Sequence, residues 1–127
     1  MKTVSFYGTC LAGAEKVLVS PRIGHGYVVE RIRARFAIGC EHLLKLRFFM
    51  AMDDETPTSG KPSGVSMLAD YGQVDYIIGD GDAKDMLHSV EMPEGGSFLK
   101  VHAINSDAFD HDIDVQMEIQ PIIVEAE

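Results

Sequence analysis

The chain has 127 residues, 46% of them apolar and 24% charged, with a formal net charge of −9. That length and balance describe one globular domain, 1–127, able to bury a core without metals or cross-links. The negative charge opposes nucleic-acid binding and attachment to an anionic membrane, and favours a surface on which copies repel except at a built contact.

No apolar run approaches the length of a membrane span. The N-terminal MKTVSFYGTCLAGA is too short in its apolar part, and too often interrupted, to read as a signal peptide. The expectation is a chain made in the cytoplasm and able to leave the cell within a larger particle. Cys10 and Cys40 fit neither a CxxC pair nor a zinc knuckle, and two buried thiols are expected ahead of a disulfide between them.

Lys2–Tyr7 alternates weakly and predicts a first strand ending at Gly8. Glu15–Ser20 predicts a second, stopped by Pro21, which has no N–H for a ladder. After the flexible run Pro21–Gly26 comes Tyr27–Ile38, the long strand around which the rest is organised. Period two puts Val28, Ile32, Ala34, Phe36 and Ile38 on a core face that also holds Glu30, with Val29, Arg31, Arg33, Arg35 and Ala37 facing water. A helix would also align Val28, Ile32 and Phe36, but the segment lacks an N-cap and is rich in β-branched and aromatic residues.

A turn at Gly39–Glu41 leads to His42–Met52, whose even residues from Leu44 to Met52 share one face and whose odd ones, including Lys45, Arg47 and Phe49, share the other. As a helix, this stretch would be apolar all round. Asp53–Gly64 is the clearest loop, rich in Asp, Thr, Ser, Pro and Gly. Strands are expected at Val65–Ala69 and Val74–Ile78, with a turn at Asp70–Gly72, then a turn at Gly79–Asp82 and a strand at Met86–Met92. Pro93–Gly96 is a hairpin signal before Ser97–Ile104, which sets Leu99, Val101 and Ala103 against Phe98, Lys100, His102 and Ile104. The loop Asn105–His111 precedes Asp112–Gln120, the cleanest alternation: Ile113, Val115, Met117 and Ile119 against Asp112, Asp114, Gln116, Glu118 and Gln120. Eight or nine short strands without a helix predict an all-β, antiparallel β-sandwich of jelly-roll or Greek-key topology.

Two patterns of charge stand out. Three arginines on one strand face (Arg31, Arg33, Arg35) need an answer, and Asp112, Asp114 and Glu118 have the same period with the opposite sign. An ion-paired outer sheet is the first reading, worth about 0.2–1 kcal/mol per cross-strand pair. A docking face between copies is the second, and an anion site, opposed by the overall charge, the third. Asp80, Asp82 and Asp85 form one acidic cluster, and the loop SDAFDHDID holds another; clustered loop oxygens suit Ca²⁺, yet neither matches an EF-hand.

The five histidines are His25, His42, His88, His102 and His111. Pro93–His102 resembles, in outline, the turn before a metal-binding histidine in cupins, but Ile104 occupies the place of that motif's second histidine and the following acid is missing. No nucleophile elbow, Cys–His pairing or phosphate-cradling loop is present, and the absence of Trp weakens a sugar platform. The methionines read as core filler. The expectation is therefore a non-enzymatic structural protein without a cofactor, a homo-oligomer or part of a larger shell such as a virus or phage capsid, spike or decoration subunit. The alternatives are a module binding glycan or Ca²⁺ through loops 53–64 and 105–111, and a cupin-like enzyme.

Overall fold

The computed structural model of the protein describes residues 2–36, 38–39, 43–56, 62–67, 76–93 and 95–122, with the backbone alone at 87–89. Among the described residues there are eight strands: β1 (Lys2–Cys10), β2 (Glu15–Val19), β3 (Tyr27–Arg35), β4 (Leu44–Ala51), β5 (Val65–Ser66), β6 (Ala83–Met92), β7 (Phe98–Asn105) and β8 (His111–Pro121). They form two antiparallel four-stranded sheets, ordered β1-β8-β3-β6 and β2-β7-β4-β5. The pairing is nested: β1 with β8, β2 with β7, β3 with β6 and β4 with β5, like one long hairpin folded over. Pairing of β3 with β8 and of β4 with β7 then completes the sheets. There is no helix among the described residues.

The core lies between the sheets. One sheet contributes Phe6, Tyr27, Val29, Ile32, Ala34 and the inward residues Ile113–Ile119 of β8; the other contributes Leu44, Leu46, Phe48, Met50, Leu99, Val101 and Ala103. Burial of a side chain of this size contributes about 1.5–3 kcal/mol. Tyr27 is fully buried, and its phenol is satisfied by Ser97 Oγ at 2.8 Å. Burial raises the pKa of that phenol, and of the free thiol of Cys10.

The long strand is extended, as expected, but its phase changes midway. Val29 lies opposite Ile119 of β8 and Arg31 opposite Glu118, so Glu30 is an extra residue with no counterpart on β8. Such a bulge switches which alternate residues face inward. Tyr27 and Val29 therefore join Ile32, Ala34 and Phe36 inside, whereas Val28 sits on the outer face. A strict two-residue period puts Val28 inside and Val29 outside, and the bulge reverses both. Two ends are corrected as well. The strand stops at Arg35, where the Phe36 N–H donates to the Asp82 carbonyl, leaving Ile38 91% exposed. Met52 lies beyond the end of β4 and is exposed, unlike the buried Met50, Met67 and Met117.

The second sheet departs from alternation for a different reason. Its outer face is roofed. Lys100 has no exposed side-chain surface; its ammonium donates to Asp53 Oδ1 (2.8 Å), the Glu55 carbonyl (2.8 Å) and Ser63 Oγ (3.1 Å). Three donors meet three acceptors, which is what burying an ammonium requires. The hydrogen bonds that Asp53 accepts, from Lys100 first and then from the Ser63 hydroxyl and the Glu55 N–H, lower its pKa to about 2. Beside Lys100, His102 Nε2 lies 3.1 Å from Glu15 Oε1, and Lys45 and Arg47 stack on the Tyr76 ring at 4.8 and 5.4 Å.

β6 begins at Ala83 rather than Met86, which puts Asp85 in a strand. The expected strand Val74–Ile78 is represented by a bridge between Ile77 and Leu46. The turn Asp70–Gly72, Val74, Cys40 and His42 lie outside the described residues, as does the side chain of His88.

Candidate functional site

Sheet register assembles the two charge patterns on a single face. Across the outer surface of β1-β8-β3-β6, Thr3, Glu118 and Arg31 form one row. Ser5, Gln116, Arg33 and Asp85 form the next, followed by Tyr7, Asp114, Arg35 and Ala83. An acidic stripe on β8 thus runs beside the basic stripe on β3, within one chain. Asp85, on the far side of the arginines, lies 3.3 Å from both Arg31 Nε and Arg33 Nη2. Asp112, at the end of the acidic stripe, accepts a hydrogen bond from Thr9.

Asp80, Asp82 and Asp85 do not converge. Asp85 serves the arginines, Asp82 binds Lys84 Nζ at 2.9 Å, and Asp80 accepts from the Gly39 N–H at 2.8 Å. The Lys84 hydrogen bond lowers the Asp82 pKa. Among the described residues no group of three His, Cys, Asp or Glu is placed to hold a metal ion, and these three carboxylates, expected as one acidic cluster, go to different partners. His102, the histidine of the cupin-like outline, lies on the roofed outer face, opposite Val17 and Arg47, rather than between the sheets.

One end of the sandwich gathers the loops after β1, after β3, before β6 and before β8. They are tied together: Ala12 N–H donates to Asp110 Oδ1 (2.8 Å), Gly13 N–H to the Asp107 carbonyl (3.1 Å), and Ser106 N–H to the Leu43 carbonyl (3.0 Å). Asn105 braces the β7–β8 loop, its amide donating to the carbonyls of Cys10 and Phe109. His111 Nε2 lies 2.8 Å from Asp107 Oδ2, which lowers the Asp107 pKa. On this scaffold stand three large apolar side chains in water, Leu11 (60% exposed), Ile38 (91%) and Phe109 (71%), with Tyr7 (75%) beside them on the striped face. An open cleft of about 440 Å³ between Ile38 and Phe109 is walled by Asp107, Asp110 and Asp112.

A second cleft, of about 380 Å³, lies at the opposite end, between the start of β1 and the β2–β3 connection. Val4, Pro21 and Ile23 give it an apolar lining; among the described residues that line it, the ionisable ones are Lys2, Arg22 and His25. Arg22 is held across Gly96, a residue with φ of +91°, where a side chain would meet Nη2 at 2.9 Å.

The stripes are legible in the sequence, and the apolar end is not. Its members come from four separate loops or strand ends, each unremarkable alone. Phe109, an aromatic residue inside an otherwise acidic loop, was the one local signal.

Fold and surfaces together define a two-sheet antiparallel β-sandwich with polar faces and chemically distinct ends. No protein-family model and no curated protein matches the chain. Among solved structures it is similar to a chain in a structure of infectious bursal disease virus, Gt strain (10% identity, TM-score 0.45, covering 91% of this chain and 30% of that one). It is also similar to a family two carbohydrate esterase from Cellvibrio japonicus (11% identity, TM-score 0.31, covering 94% and 36%). The chain thus spans about a third of the length of each, and at these scores neither likeness carries an argument about function.

Proposed function

We propose that this protein is a non-enzymatic structural subunit that works by making contacts within a homo-oligomer or larger assembly. The observation that carries this reading is the gathering of Leu11, Ile38, Phe109 and Tyr7 at one braced end. Single exposed apolar residues are ordinary, but a group of them, rimmed by carboxylates, is what a protein–protein contact leaves uncovered in the free chain. The loops that carry them are cross-braced by backbone hydrogen bonds, so little ordering is needed on association.

The finer architecture belongs to the same proposal. Nested pairing of β1 to β8, β2 to β7, β3 to β6 and β4 to β5 is the pattern of a jelly roll, two Greek keys wound into facing sheets. Virus capsids use that architecture, as do lectins and cupins, so the virion setting is an analogy of form. The experiment is the native mass of the chain at rising concentration. A multimer of the 13.9 kDa chain is expected, and a monomer throughout would contradict the proposal.

A further inference from the structure

We infer that copies of this chain associate head to tail, the apolar, acidic end of one seating in the basic cleft at the far end of the next. This rests on the contact-making reading above and adds a mode and an occupant to it. The charges choose the partner. Asp107, Asp110 and Asp112 wall the apolar end, with His111 against Asp107, while among the described residues lining the far cleft the ionisable ones are Lys2, Arg22 and His25. Two apolar ends brought together about a two-fold axis would set three aspartates of one copy against three of the other, on chains already carrying a net charge of −9. Like charges juxtaposed across an interface disfavour it, whereas opposite ones steer association and fix register.

Shape and apolarity agree with charge. Phe109 projects from the β7–β8 loop, 71% exposed, and the receiving cleft offers Val4, Pro21 and Ile23 as a floor for an aromatic anchor. The two sites are at opposite ends: Cys10 and His111 pair at the apolar end of the first sheet, and Lys2 pairs with Ile119 towards the other. A contact between different patches at opposite ends is heterologous, so it propagates into a ring or a filament instead of stopping at two.

The test uses two full-length variants, each disabling one side. Phe109→Asp removes the anchor and Arg22→Glu reverses the cleft; both positions are exposed, and the thermal unfolding of each variant checks that it folds. Where Arg22→Glu disturbs folding, Lys2→Glu replaces it. In sedimentation velocity each variant alone should lose the multimer. Mixed in equal amounts, they should give a species of twice the 13.9 kDa chain mass and nothing larger, because one intact end remains to meet one intact cleft. Raising the salt concentration should weaken that species, as screening weakens complementary charges. An Arg22→Glu variant that still assembles alone, or a mixture that stays monomeric, would overturn the head-to-tail mode while leaving a multimeric wild type, and with it the broader reading, in place. A monomeric wild type would remove both.

Discussion

The striped face of β1-β8-β3-β6 and the loop end beside it share a border at Tyr7, yet they differ in what is left unanswered. On the face, every conspicuous pattern meets its complement in the same chain: Arg31 and Arg33 lie against Asp85, and the β8 acids run alongside in register. At the end, the carboxylates of Asp107 and Asp110 are held by His111 and Ala12, but the apolar groups above them face water. The most visible feature of a sequence is thus not the one with binding capacity to spare. Charge patterns announce themselves by period, and the sheet that carries them also neutralises them.

The largest effect is expected at a residue whose side the bulge decides. Val29→Asp would put a carboxylate between the sheets, where a strict period would leave it in water, forfeiting a buried side chain worth about 1.5–3 kcal/mol and burying an unpaired charge, against a total stability of order 5–15. Chemical denaturation should show a lost or severely shifted transition; an unchanged midpoint would mean that Val29 does not face the core.

A third surface, the roofed side of the other sheet, sharpens the contrast by showing a charge that only one loop can answer. Asp53→Ala leaves the buried Lys100 ammonium without its carboxylate, and the melting temperature should fall by roughly 10 °C. Replacing both residues together, Asp53→Ala with Lys100→Met, should recover much of that loss, because the stranded charge is gone.

Acid gives a smaller, graded version of the same test. The folded-state pKa of Asp53, about 2, lies below its ordinary 3.8, so its contribution is full above pH 4 and is lost as the pH falls towards 2. Asp82 and Asp107 are lowered too and shift in the same direction. Thermal stability should therefore decline on acidification through that window, and less steeply in Asp53→Ala.

The smallest effect belongs to the ladder. Arg33→Glu breaks an exposed pair with Asp85 and should alter stability by no more than about 1 kcal/mol.

How much of this was legible follows the same division. Alternation gave the strands and most core residues because one wall of each is apolar: Ile113, Val115, Met117 and Ile119 are all buried, as their spacing requires. It failed where a single residue breaks the count, at Glu30, since no composition marks a bulge. It also gave no warning that Lys100 and His102, outward by period, would be covered by residues some forty to ninety positions away in sequence. The apolar end was illegible for a related reason: its members come together only when four separate segments are brought to one place.

The most direct measurement of the contact claim is sedimentation velocity of the wild type, Phe109→Asp and Arg33→Glu over one concentration series. The wild type and Arg33→Glu should form the same multimer, and Phe109→Asp should remain at the mass of a single chain. Dissociation by Arg33→Glu with assembly retained by Phe109→Asp would place the contact on the striped face and contradict the assignment to the loop end.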